Sequence, residues 1–222
     1  VLCVLTLYEE IYEWIWLNYC KSIRSMLKMY ENVRKGSKVM SEVYVFFATG
    51  FEEIEGLTCV DLMRRADIDV TTVSVTGDRT VVGSHKIPVQ MDKLFDEVDF
   101  GQAQMLVLPG GGPGTKNLEA FEPLMKQIDA FVNEGKAVAA ICAAPSILGH
   151  RGHLNGKNAI CFPGFEEQLT GATIVEQGAV RDGQIITGRG MGASVDFGLA
   201  IVEFFKGKEA ADALAKKICY VN

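Results

Sequence analysis

Cys142 has the sequence neighbours expected of a reactive nucleophile. It follows the apolar run 137–141, and Ala143, Ala144 and Pro145 come directly after it. A short apolar run suits a strand buried in a parallel sheet, and a proline in the first turn of a helix costs no hydrogen bond. Cys142 is therefore predicted at a strand-to-helix turn that resembles a nucleophile elbow, where the free amides of a helix start favour thiolate. An inert, buried cysteine is the alternative.

Glu55 could assist such a cysteine. It lies one turn into a helix predicted to begin at Glu52, and from there it could point inward. Burial and a nearby thiolate would raise the pKa of its carboxyl, which could then hold or relay a proton. For Glu52 and Glu53 we predict only a favourable interaction with the helix dipole.

A glycine-rich segment, PGGGPG at 109–114, could supply backbone N–H groups near the cysteine. Such groups form an oxyanion hole in acyl-transfer enzymes, although the segment could also be only a tight turn. It matches neither the P-loop nor the G-x-G-x-x-G pattern, so it does not indicate a phosphate site.

The elements that must position these residues alternate between strand and helix from Met40 onward. The predicted strands are 43–48, 69–75, 105–108, 137–141, 159–162, 173–175, 180–181 and 185–187, with a hairpin over 80–89. The predicted helices are 52–65, 122–134, 193–205 and 208–218, besides the one that Pro145 opens. This alternation predicts a flavodoxin-like three-layer α/β sandwich with a mainly parallel sheet. Ligands bind such sheets beyond the carboxyl ends of the strands, which is where Glu55, the glycines and Cys142 are expected to meet.

Composition excludes several classes of protein. The formal net charge of −6, without a Lys/Arg cluster, argues against a general nucleic-acid binder. The six cysteines form no C-x-x-C pair or other metal-ligand spacing, so we expect reduced thiols, a cytoplasmic location, no metal and no cofactor. No apolar run is long enough to span a bilayer, so no membrane partner is expected.

Residues 1–39 differ from the remainder, since they contain both tryptophans of the chain. We predict an N-terminal extension, helical or disordered, which we interpret as translated leader ahead of Met40. A single domain is expected over 40–222, and it should fold without the extension.

Five motifs in this chain resemble one known family: FATGFEEIEG, DLMRRA, VLPGGGPGTKNL, AICAAPSIL and TGRGMGASVDFGLAIV. They are similar, in order, to the ThiJ/PfpI superfamily and within it to the DJ-one branch. The resemblance implies a flavodoxin-like homodimer in which Cys142 is the reactive cysteine and Glu55 its carboxyl partner. It further implies that Gly111 and Ala143 supply backbone oxyanion donors.

Departures from the family pattern argue against some of the activities found in the superfamily. Proteases of the superfamily carry a histidine directly after the cysteine, where this chain has Ala143, so a protease is disfavoured. Phe162 stands where animal members have a histidine, and His85 takes the place of an arginine that lines the site across the dimer. Gly110, His85 and Phe162 are therefore candidate site-lining residues. A glutamine amidotransferase would need a downstream H-x-E, which His150 and His153 do not provide.

Two functions follow from the resemblance. In the first, Cys142 and Glu55 convert small 2-oxoaldehydes or early glycation adducts, as a glyoxalase or deglycase would. In the second, the protein is an oxidative-stress sensor or redox-regulated chaperone in which Cys142 is oxidised, with little turnover.

Overall fold

The computed structural model describes residues 42–220. The predicted extension over 1–39 lies outside the described residues. None of the described helices is both long and apolar enough to cross a membrane.

A seven-stranded sheet forms the middle layer. The described strands are β1 (Glu42–Phe47), β2 (Val70–Ser74), β3 (Thr80–Val82), β4 (Pro88–Gln90), β5 (Lys93–Leu94), β6 (Ala103–Leu108), β7 (Ala137–Ile141), β8 (Asn158–Ala159), β9 (Thr173–Ile174), β10 (Ala179–Asp182) and β11 (Ile185–Gly188). The sheet has the order β10-β11-β7-β6-β1-β2-β5, and every neighbouring pair is parallel except β10–β11. The predicted, mainly parallel sheet is confirmed.

Helices cover both faces of this sheet. They are α1 (Glu53–Arg65), α2 (Gly112–Glu119), α3 (Glu122–Asn133), α4 (Pro145–His150), α5 (Ser194–Lys206) and α6 (Lys208–Lys217). The buried side chains of α1, α5 and α6 belong to one apolar cluster, and those of α2, α3 and α4 belong to a second. The side chains of strand β1 alternate between the two clusters: Val43 and Val45 belong to the first, and Tyr44 and Phe46 belong to the second. The chain is a flavodoxin-like three-layer α/β sandwich.

The structure contains two elements that were not predicted, helix α2 and the short edge strand β5. The glycines of α2 carry no helical signal of their own. The strand predicted over 159–162 shrinks to the two residues of β8, which pairs with β9 outside the main sheet. Residues 160–162 leave the strand because their amides have other partners: Ile160 N donates to Thr187 Oγ1 at 3.0 Å, and Phe162 N donates to the Cys142 carbonyl at 2.8 Å.

Helix α2 is held against the turn that follows β1. The amide of Gly114 donates to the Gly50 carbonyl at 3.0 Å. An ideal Cβ built on Gly114 would lie 2.6 Å from Phe51 Cα and 2.7 Å from Phe51 N, whereas one built on Gly112 would have no atom within 4 Å. The helix can therefore approach this turn only because residue 114 has no side chain.

We predict that Gly114→Ala destabilises the fold by about 1–3 kcal/mol, the usual cost of overpacking against atoms that cannot move aside. Gly112→Ala, in the same helix, should be neutral or stabilising by up to about 1 kcal/mol because alanine is the better helix former. Urea unfolding of the two variants measures the difference. Equal stabilities would contradict this description of the packing.

Candidate active site

Cys142 lies at the sharp turn between β7 and α4, as predicted. Its φ of 66° is in the left-handed region, which costs a non-glycine residue on the order of 1–3 kcal/mol. Both backbone groups of the strained residue are bonded to neighbouring segments: its N–H donates to the Gly188 carbonyl at 2.9 Å, and its carbonyl accepts from Phe162 N at 2.8 Å. The surrounding fold therefore holds the cysteine in a conformation that it would not adopt alone.

Glu55 is completely buried in the first turn of α1. Its Oε2 accepts a hydrogen bond from the Gly110 amide at 3.0 Å, while Oε1 has no hydrogen-bond partner among residues 42–220. An ideal Cβ on Gly110 would lie 2.5 Å from both Cys142 Cβ and Glu55 Oε2, so those two atoms are at most twice that distance apart. Gly110 thus lies against both residues, and the carboxyl and the cysteine occupy the space that a side chain would need.

Burial governs the ionisation of this pair. It raises the pKa of Glu55 to about 7, although hydrogen bonds from the Cys142 thiol and the Gly110 amide oppose the shift and the charge of Glu52 adds to it. Burial also raises the pKa of Cys142 to about 12, and the charge and hydrogen bonding of Glu55 raise it further. The amide at the helix start does lower the pKa of Cys142, as expected, but burial and the neighbouring carboxylate outweigh it while Glu55 is ionised.

The two groups are coupled through one proton. When Glu55 is ionised, its charge keeps the proton on sulfur. When Glu55 is protonated, that repulsion disappears and the carboxyl can donate a hydrogen bond to a thiolate. Proton transfer between oxygen and sulfur therefore decides whether the sulfur is nucleophilic.

Two backbone amides stabilise the ionised form of the sulfur. Hydrogen bonds from Gly111 and Ala143 lower the pKa of Cys142, against the larger effect of burial. Gly111 has a φ of 89°, and an ideal Cβ on it would lie 2.5 Å from the Gly50 carbonyl oxygen and 2.7 Å from Glu52 N. Only glycine can place an amide here. The structure thus brings together five predicted residues, namely Cys142, Glu55, Gly110, Gly111 and Ala143.

Phe162 lies beside the cysteine, with 46% of its surface exposed. It lines a surface cavity of about 460 Å³ together with Arg189, Met191 and the glycines around them. Sequence reasoning missed Arg189 and Met191 as lining residues. The available signal was their position, because they directly follow β11 at the carboxyl edge of the sheet.

His85 is bound to the start of α1. Its amide donates to Glu53 Oε1 at 2.7 Å, and its Nδ1 lies 3.0 Å from Glu53 Oε2 and 3.6 Å from Glu52 Oε2. The hydrogen bond to Glu53 raises the pKa of His85. Burial opposes ionisation of Glu53, but hydrogen bonds that include those from His85 and Ser84 outweigh it and lower its pKa to about 2. The prediction that Glu53 only complements the helix dipole is too narrow, since this buried carboxylate anchors the loop between β3 and β4.

The other two histidines also bind carboxylates. His150 Nδ1 lies 2.7 Å from Glu119 Oε1, and His153 Nε2 lies 2.7 Å from Asp129 Oδ1. In the described part of the chain, no histidine has a hydrogen bond to Cys142 or Glu55.

The raised pKa of Glu55 predicts a pH-dependent stability. The folded state binds a proton that the unfolded state loses, so stability falls as the pH rises from 4.5, the ordinary value, to about 7. Glu55→Gln removes this dependence and should be the more stable protein at pH 8, by up to about 3 kcal/mol for the shift from 4.5 to about 7. Urea unfolding at pH 5 and pH 8 tests this. The stability difference between Glu55→Gln and the parent should therefore be larger at pH 8 than at pH 5. An equal difference at the two pH values would show that Glu55 has an ordinary pKa.

Sequence comparisons agree with this architecture. Protein DJ-1 homolog B of Arabidopsis thaliana is 37% identical over 177 residues, covering 79% of this chain and 40% of that protein. This chain thus spans less than half the length of that relative. Protein dj-1beta of Drosophila melanogaster is 32% identical, with 78% of this chain and 93% of the relative covered. Glutathione-independent glyoxalase DJ-1 of Schizosaccharomyces pombe is 28% identical, with 81% and 98% covered.

Solved structures give the same result. The crystal structure of Drosophila melanogaster DJ-1beta matches with a TM-score of 0.78 and 31% sequence identity, covering 82% of this chain and 99% of that one. The family model described as DJ-1/PfpI matches residues 41–204. The chain therefore belongs to the DJ-1/PfpI family.

Proposed function

We propose that this protein is a cofactor-independent enzyme that converts small 2-oxoaldehydes, or the early glycation adducts derived from them, through Cys142 and Glu55. The observation that carries the proposal is the buried carboxyl beside an elbow cysteine whose sulfur receives two backbone amides. The name of the Schizosaccharomyces pombe relative, a glutathione-independent glyoxalase, supports the same chemistry.

In the first step, the Cys142 sulfur attacks the aldehyde carbon of the substrate. A carbon–sulfur bond forms, and the electron pair of the carbonyl moves onto its oxygen. The thiol proton passes to Glu55, whose Oε1 has no hydrogen-bond partner among the described residues. The amides of Gly111 and Ala143 stabilise the developing oxyanion. Glu55 then gives the proton to that oxygen, which forms a hemithioacetal and restores the carboxylate.

In the second step, Glu55 moves protons between the two carbons of the substrate. It removes the hydrogen of the former aldehyde carbon as a proton and delivers it to the oxygen of the neighbouring ketone, which gives an enediol. The hydroxyl on the former aldehyde carbon then loses its proton while the neighbouring carbon gains one, which leaves a carbonyl bonded to sulfur. The resulting thioester is hydrolysed by water to a 2-hydroxy acid, which returns the thiol. One carbon is oxidised while the next is reduced, so the reaction needs no external electron acceptor.

A redox sensor or chaperone is the second candidate. Cys142 is partly exposed, and the two amides that would bind an oxyanion would also bind the oxygens of a sulfinate. In that function, a peroxide would oxidise the sulfur and the protein would turn over little aldehyde.

We predict that Cys142→Ser abolishes 2-oxoaldehyde turnover, because a hydroxyl is a far weaker nucleophile here. Glu55→Gln should lower turnover by roughly 10²–10⁴, since the amide cannot accept or return a proton. Single changes of His85, His150 and His153 to Asn should retain most of the activity.

The turnover of each variant is measured as the lactate formed from methylglyoxal. The Cys142→Ser protein, purified in the same way, is the control for contaminating enzymes. Loss of activity in a histidine variant alone would contradict the Cys–Glu mechanism. A parent protein that forms no lactate, yet is selectively oxidised at Cys142 by peroxide, would favour the sensor.

We also propose a homodimer formed through α1 and the β3–β4 hairpin, in a cytoplasmic protein. Large apolar side chains are exposed there: Ile54 and Leu57 on α1, and Val82 and Ile87 on the hairpin. Leu57→Glu should give monomers in light scattering at micromolar concentration, because it places a charge in the apolar contact. Ile174→Glu is the matched control, since Ile174 and Leu57 are both 38% exposed. A monomeric parent protein would contradict the dimer.

A further inference from the structure

We propose that Glu52, Glu53 and His85 form a binding site for a divalent transition-metal ion such as Zn²⁺. The site lies at the start of α1 and does not include Cys142 or Glu55. The proposal goes beyond the function proposed above and does not depend on it.

The three candidate ligand atoms already have the spacing that such an ion requires. His85 Nδ1 lies 3.0 Å from Glu53 Oε2 and 3.6 Å from Glu52 Oε2, and the three residues each offer a ligand atom within 4.8 Å of the others. Bonds of about 2.0–2.1 Å to a tetrahedral Zn²⁺ place two ligand atoms roughly 3.3 Å apart. Small side-chain movements would therefore suffice.

The three atoms also converge on a common point. Ser84 Oγ lies 3.0 Å from Glu52 Oε2, 3.1 Å from Glu53 Oε2 and 3.0 Å from His85 Nδ1. A metal ion would take the place of this hydroxyl between the three atoms, and the displaced serine or a water molecule could be a further ligand. Oxygen and imidazole donors of this kind suit Zn²⁺.

The loop is built around the Glu53 carboxylate. Glu53 Oε1 accepts the His85 amide at 2.7 Å, which fixes the carboxylate and leaves Oε2 directed at the imidazole. An ideal Cβ on Gly83 would lie 2.2 Å from Glu53 Oε1, so only glycine leaves room for it. Such support around a ligand is what holds it in place in metal sites.

The charges favour a cation. In the described part of the chain, His85 is the ion-pair partner of both Glu52 and Glu53, whose side chains are only 16% and 6% exposed. One imidazole cannot neutralise two largely desolvated carboxylates, whereas a divalent ion would. The His85 side chain is 69% exposed in a single chain, so an ion can bind before two chains associate through this hairpin.

Zn²⁺ binding to the full-length protein tests the proposal by calorimetry. A Cys142→Ser, Cys219→Ser background removes the two thiols that are not buried among the described residues and could compete for the ion. We expect one ion per chain, with at least about tenfold weaker binding in both His85→Gln and Glu52→Gln. The control is His150→Gln, which removes an imidazole whose Nδ1 lies 2.7 Å from a single carboxylate, that of Glu119. It should bind Zn²⁺ like the background protein.

Co²⁺ gives a second measurement on the same proteins. Intense visible absorption, typical of tetrahedral Co²⁺, should be present in the background protein and in His150→Gln but lost in His85→Gln. Thermal unfolding without metal verifies that each variant is folded, and Glu52→Gln replaces His85→Gln if the latter is not. Absence of stoichiometric Zn²⁺ binding, or equal affinities of the His85→Gln and His150→Gln proteins, would overturn the proposal.

Discussion

A buried carboxyl beside a partly buried thiol is the interaction on which the rest of the site depends. Glu55 has no exposed surface, and burial is costly for both of its protonation states. An ionised carboxylate loses its hydration, and a neutral carboxyl loses the water molecules that would otherwise form hydrogen bonds with its oxygens. The fold compensates with the Gly110 amide at 3.0 Å and the adjacent Cys142. The consequence is a carboxyl that exchanges its proton near neutral pH, where a catalytic group is most useful.

The backbone geometry around this pair restricts which residue types can occupy the neighbouring positions. The left-handed conformation of Cys142 is held by hydrogen bonds to Gly188 and Phe162, which come from two different segments. Gly110 leaves room for the pair, and Gly111 places its amide where no side chain could be accommodated. The glycine loop and the elbow therefore act as one rigid support, and the parallel sheet brings them together at its carboxyl edge.

Much of this arrangement could be predicted from the sequence because the signals are local. The apolar run of β7 followed by Pro145 indicates the elbow, and the helix beginning near Glu52 places Glu55 one turn inward. Helix α2 could not be predicted, because its start depends on the tertiary hydrogen bond from Gly114 to Gly50. The hydrogen bond between Glu53 and His85 could not be predicted either, because the two residues are 32 positions apart. No local sequence pattern indicates that the loop carrying His85 folds back onto the start of α1. The net pKa of Cys142 could not be predicted, because the burial that raises it is a property of the whole fold.

The protonation state of Glu55 tests the central claim most directly. Infrared difference spectra between the parent protein and Glu55→Gln isolate the carbonyl stretch of this one carboxyl, and its intensity can be followed from pH 5 to pH 9. With the pKa of Glu55 raised to about 7, the band of the protonated acid should persist at pH 6 and disappear by about pH 8. A carboxyl already ionised at pH 6 would contradict the account, because its pKa would then lie below the neutral range in which it is proposed to exchange a proton with the sulfur.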